Sequence, residues 1–387
     1  MDVELHALEK NHTWELARLP EGKKAIGYRW MYKWNIEFTS KLESYDFRQS
    51  PHDHCLFILK SDSVFISLIV YVDDVLLTGN SMDAMLQVKE YLDHLFTIKD
   101  LGYAKYVLGL ELARSSHGTC VSQRKYLSDI VHDCQMTSAK SAATPLPVGV
   151  KFDAASGSLL ASPDRHRRLI DMLLYLGFSR PDISFAVQQL SQFIQQPRQP
   201  HWEAALHLVC YLKGTPSLGL FFPTGSSLQL IAFSDSDWAS CIDTRRSVTG
   251  YCIFLGNSLI FWKTKKQAIV SRSSAEAEYR SMGSTVCELL WISYILQEFV
   301  FSVPAPIPFH CDNKATIHIT ENPIFHERTK HLDIDCPLVR DHFKLGFILP
   351  QHVPNQQQVA DLFTKALPAV PFARLLSKLG MSSHAPT

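Results

Sequence analysis

The sequence predicts a multidomain protein of mixed α/β and α+β class, with its chemistry gathered in an α/β domain towards the C-terminus. Three observations lead there. A chain of 387 residues is long enough for two or three separate cores. Its 46% hydrophobic and 20% charged content fits globular packing and not disorder. From Leu228 to Leu367 the pattern turns from helices to strands and then alternates strand with helix. Four acidic words punctuate that stretch: LQLIAFSDSDWAS, SRSSAEAEYRS, FHCDNKA and QQQVADLFTKAL. Each brings a carboxylate to a place where an element starts or stops, and four such groups brought together can hold two divalent cations.

Taken in order, Met1–Ser40 forms an opening module. Its end alternates Tyr28, Trp30, Tyr32 and Trp34 with Arg29, Met31 and Lys33, the period of a half-buried strand. VFISLIVYVDDVLLTGN (Val64–Asn80) reads as two β-rich runs flanking Asp73 and Asp74. Paired aspartates at a tight turn repel unless a cation sits between them. Ser81 caps a helix over Met82–Phe96 with Met85, Val88, Leu92 and Leu95 in its apolar stripe. FTIKDLGYAKYVLGLEL leads into a strand, Thr119–Gln123 is its hairpin partner, and Lys125–Cys134 is a helix. The turn-rich run from Thr144 to Pro163 reads as a linker. Arg167–Leu176, Ile183–Gln195 and His201–Leu212 are helices of a connector with no catalytic constellation of its own.

In the acidic stretch, Leu230–Phe233 is a buried-type strand running on to Asp235. Ser247–Leu255 and Ser258–Lys263 are two more strands, joined at Gly256-Asn257. Ser273 or Ser274 caps a long helix to about Phe299. At about 100° per residue, Glu278 falls roughly 40° from Met282, inside the apolar stripe, whereas Glu276 falls about 120° away. The phase therefore sends Glu278 towards the sheet and Glu276 towards solvent. A carboxylate on a buried face is expensive unless paired or metal-bound, which favours Glu278 as a ligand. Asp312 ends the strand Phe309-His310-Cys311, and Asn313 caps the helix after it. A helix over Cys336–Leu345 and a strand over Phe347–Gln351 follow. The last helix, capped by Asn355, carries Asp361 in its first turns and Val359, Leu362, Phe363 and Ala366 on its core face. These carboxylates fall near strand ends, where an open sheet binds ligands. Asp235 and Asp237 share one face of an extended strand; Asp235 directly follows the apolar run and is preferred.

Composition narrows the classes. A formal net charge of zero weighs mildly against a nucleic-acid binder, yet basic clusters stand at Arg165/Arg167/Arg168, Arg245/Arg246 and Lys263/Lys265/Lys266. Nine cysteines occur without a CxxC pair, so neither a zinc site nor a disulfide framework is suggested. The apolar run Val64–Val72 is too short to cross a bilayer, and no apolar signal segment opens the chain. A soluble intracellular protein, cytoplasmic or nuclear and without a membrane partner, is expected.

The words HTWEL, LPEGKKAIGYRWMYK, DHCLFI, YVDD, FTIKDLGYAKYVLGLE, SRPDISFAVQQLSQF, HWEAALHLVCYLKGT, SDSDWAS, RRSVTGY, SSAEAEYRS, CDNKATIHI, HERTKHLDID and ADLFTKAL run in one order over nearly the whole chain. In this the chain resembles the C-terminal part of a copia-type LTR retrotransposon Pol polyprotein, reverse transcriptase followed by ribonuclease H. The resemblance implies a remnant of the fingers over residues 1–40, a partial palm and following subdomain over 41–135, and a helical connector over 136–227. A ribonuclease H-like α/β domain over 228–370 and a tail over 371–387 complete it. It implies RNA-directed DNA polymerase chemistry and cleavage of RNA in RNA–DNA hybrids, both with two Mg²⁺ ions, for which Mn²⁺ can substitute. Carried over by position, Asp73 and Asp74 are the polymerase metal pair, and Asp235, Glu278, Asp312 and Asp361 are the nuclease ligands. One metal would activate the attacking water and the other would stabilise the leaving oxygen. Arg245, Arg246, Lys265, Lys266 and Lys330 would hold phosphates, and His331 would assist proton transfer on the product side. One departure matters most. The palm's third aspartate belongs to a long block that is missing near Ser40, where EFTS runs into KLESYDFRQSPHDH. DNA synthesis is therefore expected to be lost, with nuclease activity the retained function. The competing expectations are a non-catalytic remnant that recruits a partner, or one that binds hybrids without cutting. A smaller departure is Asp171, where the family prefers glycine.

Overall fold

The protein is described by a computed structural model covering residues 33–71, 74–96, 98–322 and 335–383. It divides into two compact units: Met1–Val107 with Glu298–Val300, and Leu108–Gln297 with Phe301–Thr387.

The first unit opens on helix α1 (Lys33–Ser44). The strand expected over Tyr28–Trp34 lies outside the described residues as far as Tyr32, and from Lys33 the chain is helical instead. Within it Phe38 and Leu42, four apart and both buried, put one apolar face of the helix against the core. The expected deletion near Ser40 thus falls inside a continuous helix. Strands β1 (Arg48–Gln49), β2 (Leu56–Lys60), β3 (Phe65–Tyr71) and β4 (Asp74–Gly79) form an antiparallel sheet in chain order. Helix α2 (Met82–Phe96) lends Val88, Leu92 and Phe96 to a core shared with Phe38, Leu42, Phe47, Phe57, Ile66 and Leu68. Ser81 Oγ accepts from the Ala84 amide at 3.4 Å, capping α2. The unit closes with β5 (Tyr106–Val107).

The second unit is built on one mixed sheet. Strands β9 (Leu230–Asp237), β10 (Val248–Leu255) and β11 (Ser258–Lys266) make an antiparallel meander. Strands β12 (Ile307–Cys311) and β13 (Ile348–His352) then add in parallel on the other side of β9, giving the order β11-β10-β9-β12-β13. Leu230 and Ala232 of β9 face the long helix α7 (Ser274–Glu298). There they join Tyr279, Met282, Val286 and Leu289, and also Val339 of α9 (Asp335–Lys344). Between β12 and α9 runs α8 (Lys314–Glu321), whose cap Asn313 accepts from the Thr316 amide.

The alternate face of the sheet is also covered. Ile231 and Phe233 pack with Cys252, Phe254 and Leu259 against the helices α3 (Arg124–Asp133), α4 (Pro163–Leu176), α5 (Ser184–Ser191) and α6 (Gln199–Gly214). Residues 136–227, read from the sequence as a separate connector, therefore share a core with strands β9, β10 and β11. Ser162-Pro163, read as linker, opens α4 with proline in its first turn, where no amide hydrogen is needed. The stretch read as a tail is structured too. Helix α10 (Ala369–Leu376) buries Phe372 and Leu375 in the same core. Strand β14 (Met381–Ser382) pairs with β8 (Gly219–Pro223), which continues through β7 (Gly118–Ser122) to β6 (Leu110–Ser115).

SRPDIS holds a buried polar cluster that the sequence did not announce. Arg180 donates to both carboxylate oxygens of Asp182 at 2.9 and 2.7 Å, and Tyr211 donates to Asp182 Oδ2 at 2.6 Å. Arg180 also donates to the Thr215 carbonyl and hydroxyl. A buried charge pair stays ionised at tolerable cost only when its remaining donors are satisfied, as these are. Its role is to tie the turn before α5 to α6.

Candidate functional site

The sheet order creates the site. The chain leaves β9 to one side, into β10, and returns to the other side as β12, parallel to β9. At such a switch point the C-terminal strand ends open a crevice. Asp235 lies near the end of β9, and Asp312 directly follows β12.

Three oxygen donors meet here: Asp235, Asp312 and Asp361 offer carboxylate atoms all within 4.8 Å of one another. Glu278, Cys311 and Asp312 form a second group within the same limit, so Asp312 belongs to both. Among the described residues these are the groups able to hold a cation, and neither includes Asp237 or Asp74. Asp237 ends β9, half-buried. Asp74 is exposed at the start of β4, opposite Tyr71, and Asp73 lies outside the described residues.

Each carboxylate is positioned by its neighbours. Glu278 Oε1 accepts from the Ser236 amide at 3.2 Å, and the Cys311 thiol leans on Oε2 at 3.9 Å. Ser281, one turn along α7, donates to the Asp235 carbonyl at 2.9 Å and pins the helix to β9. Gln267 donates to Thr249 Oγ1 and the Ala277 carbonyl, and accepts from Ser271, fixing the entry to α7. Glu276 is buried, against the expectation that it faces solvent. The segment before α7 folds over the helix start. Ser273 Oγ caps the Glu276 amide, while the Glu276 carboxylate accepts from the Arg272 amide at 2.8 Å and pairs with Arg280 at 3.0 Å. It is a capping glutamate, its charge satisfied away from the cluster.

Asp361 arrives differently from expectation. Where the sequence predicts an α-helix capped by Asn355, the chain makes two 3₁₀ turns, Asn355–Gln357 and Val359–Phe363. The second is clamped at both ends. Buried Gln358 donates to the Ser234 carbonyl at 2.9 Å and accepts from the Ala360 amide, and Thr364 Oγ1 donates to Asp235 Oδ2. So short a span between two anchors favours the tighter helix. Close approach is possible because Gly250, paired with Asp235 across β9 and β10, has no side chain. A Cβ there would stand 2.5 Å from Thr364 Cγ2 and 2.8 Å from Phe363 Cβ.

Sequence reasoning missed Lys365. Its Nζ stands 2.7 Å from Asp361 Oδ1 and 3.2 Å from Asp235 Oδ2. The signal was available, an Asp and a Lys four apart in ADLFTKAL. The electrostatics follow from crowding. Burial, with Asp235 and Asp312 beside it, raises the Glu278 carboxyl to about 9. Burial and Asp235 raise Asp361 to about 7 against the pull of Lys365. Asp312 is raised by burial and Asp235, and Asp237 chiefly by burial. For Lys365 burial works against the charge, but Asp235 and Asp361 outweigh it and hold the ammonium above its ordinary range. Such a cluster favours added positive charge.

The basic residues expected to hold phosphates are spread out. Arg245 and Arg246 are exposed between β9 and β10, Arg245 at a positive φ of 53°. Lys265 is exposed on β11, while Lys266 is half-buried and donates to Gln192 at 2.9 Å. Lys330 and His331 lie outside the described residues. Among the described residues no helix is long and apolar enough to cross a membrane.

Comparison with known proteins gives the setting. Residues 32–148 match the family described as reverse transcriptase (RNA-dependent DNA polymerase). The chain is 38% identical over 354 residues to the retrovirus-related Pol polyprotein from transposon RE1 of Arabidopsis thaliana, covering 92% of this chain and 24% of that one. It therefore spans about a quarter of the length of that polyprotein. A putative transposon Ty5-1 protein of Saccharomyces cerevisiae is 30% identical over 259 residues, 66% of this chain and 84% of its own. An uncharacterized mitochondrial protein of Arabidopsis thaliana is 40% identical over 226 residues, 58% of this chain and 94% of its own. A solved N-terminal RNase H domain from Mycobacterium tuberculosis aligns with 39% of this chain and 98% of its own, at 10% identity and a TM-score of 0.28. With the sequence words running in one order, one relative matched over most of this chain and another over most of its own length, the chain belongs to the Pol polyprotein family of copia-type retrotransposons, as a fragment that includes reverse transcriptase sequence.

Proposed function

We propose that the second unit is a ribonuclease H that cleaves the RNA strand of RNA–DNA hybrids, and that DNA synthesis is absent from this chain. The observation that carries the reading is Asp312, shared by two groups of donors, one with Asp235 and Asp361 and one with Glu278. The donor chemistry fits hard divalent cations, since carboxylate oxygens suit Mg²⁺ and Mn²⁺. Asp235, Glu278, Asp312 and Asp361 would hold two such ions. When bound, they supply Lewis-acid charge and a more acidic water. The chain's own residues do the rest. The Ser236 amide orients Glu278, and the Thr364 hydroxyl orients Asp235. Arg245, Arg246, Lys265, Lys266 and Lys330 offer positive charge to the phosphates of a hybrid, and His331 a proton on the product side.

Loss of polymerase rests on the missing block near Ser40, where EFTS runs into KLESYDFRQSPHDH. Purified protein with Mg²⁺ is expected to cut the RNA strand of a labelled hybrid and to extend no primer. Asp312→Asn, which weakens both donor groups at once, is expected to reduce cutting by at least ~100-fold. Cleavage no faster in the natural protein than in that variant would overturn the nuclease reading; primer extension would overturn the other.

A further inference from the structure

The two donor groups differ in their bonds to Lys365. Lys365 bonds to Asp361 and Asp235, both members of the Asp235–Asp312–Asp361 group, and to no member of the Glu278–Cys311–Asp312 group. Its ammonium thus sits along the edge that a divalent ion shared by Asp235 and Asp361 would use. The placement is built in. The 3₁₀ turn that carries Asp361 is clamped by Gln358 and Thr364 and pressed against Gly250. The Lys365 amide continues that turn by donating to the Asp361 carbonyl at 3.0 Å. The side chain is about a third exposed, at 35%.

We infer that Lys365 is a resident cation of the Asp235–Asp361 edge, so that a divalent ion binding this edge must displace its ammonium while one binding between Glu278 and Asp312 need not. This rests on the reading of the cluster as a cation site and deepens it: the two positions are filled in order, and Lys365 sets the gap between them. In the absence of metal the same ammonium holds together aspartates that would otherwise repel. An ordinary surface ion pair would do neither, since such pairs contribute little and exclude nothing.

Mn²⁺ bound per full-length chain, counted by the electron paramagnetic resonance of the remaining aqueous ion, reads the inference without reference to activity. The natural protein is expected to bind one Mn²⁺ tightly and a second at least ~10-fold more weakly, as a charge-assisted contact must be broken first. Lys365→Met is expected to bring the two affinities within about 3-fold of each other. Lys365→Arg, which keeps the charge, is expected to retain the gap. Thermal unfolding gives the second readout: Lys365→Met melts below the natural protein without metal, and saturating Mn²⁺ closes the difference. Should Lys365→Met fail to unfold cooperatively, Lys365→Gln, a neutral donor of similar reach, is read in its place. Identical Mn²⁺ binding curves for the natural protein and the neutral variant would overturn the inference while leaving the cation site standing. Folded protein that binds no Mn²⁺ in any variant would remove the cation site and the inference with it.

Discussion

Glu278 is 5% exposed, with Asp235 and Asp312 as its nearest charges, and a carboxyl in that place resists ionising. This has a consequence for the metal-free protein. Folded-state values raised to about 9 for Glu278 and about 7 for Asp361 mean that the native chain holds protons the unfolded chain has released. Between the ordinary carboxylate value of about 4 and these raised values, the unfolded state binds fewer protons, so stability falls as pH rises. Asp361 contributes to the loss up to about 7 and Glu278 up to about 9. Lys365 is raised as well, and because this window lies below the ordinary lysine range its contribution is present throughout. The melting temperature of metal-free protein is therefore expected to drop from about pH 5 to about pH 9, and Mg²⁺ to flatten the slope by holding the carboxylates ionised. A melting temperature that climbs over that range without metal would contradict this account. Gly250 gives a second test at this scale. An alanine methyl would meet Thr364 and the Phe363 backbone, with the nearest contact 2.5 Å. Overpacking of this kind costs ~1–3 kcal/mol, more than the roughly 0.5–1 kcal/mol that alanine gains over glycine within a strand. Urea unfolding of Gly250→Ala should show a net loss, with hybrid cleavage falling further than stability because the turn carrying Asp361 must retreat.

At the scale of elements, the parts legible in the sequence are those whose partners lie along the same helix or strand. Helical phase placed Glu278 on the buried face because Met282, Val286 and Leu289 define that face within a few turns. The same reasoning misplaced Glu276. Its burial comes from Gln267 to Ser273 folding over the helix start, and nothing in the periodicity of α7 records a segment that precedes it. Of the alternating run Tyr28–Trp34, only Lys33 and Trp34 fall within the described residues, and they open α1, which buries Phe38 and Leu42 further on. The turn bearing Asp361 was read as an α-helix because Val359, Leu362, Phe363 and Ala366 have helical spacing, and a 3₁₀ turn buries nearly the same set. What distinguishes the two is tertiary: Gln358 reaching Ser234, Thr364 reaching Asp235, and the space left by Gly250. Lys365 belongs to the same class. Its spacing from Asp361 was visible, but its contact with Asp235, 130 residues away, was not.

At the scale of the molecule, the boundary drawn at Leu228 does not correspond to a gap in the packing. One continuous core runs from Leu169, Leu173, Leu208 and Leu212 in the helices to Cys252 and Phe254 in the sheet, then to Leu362, Phe363, Phe372 and Leu375 beyond it. Hydrophobic periodicity identifies which face of a helix is apolar but not what covers it, so a helical stretch without polar chemistry reads as a connector. Here it is the second cover of the sheet that holds the carboxylates. The β8–β14 pairing closes the arrangement, joining a strand before the boundary to the last strand among the described residues. A fragment beginning at Leu228 would expose Phe233, Phe254, Leu259 and Phe363 to water and leave β14 without its partner. Each fully exposed large side chain forfeits about 1.5–3 kcal/mol, so four exceed half of a typical domain's stability. Such a fragment is expected to bind a hydrophobic dye, to unfold without a cooperative transition and to lose hybrid cleavage, whereas one beginning at Leu108 should keep all three native behaviours. Circular dichroism melts of the two side by side decide it: if the shorter fragment unfolds cooperatively at the temperature of the longer one, the helices are a connector after all and the shared core contributes nothing to the site.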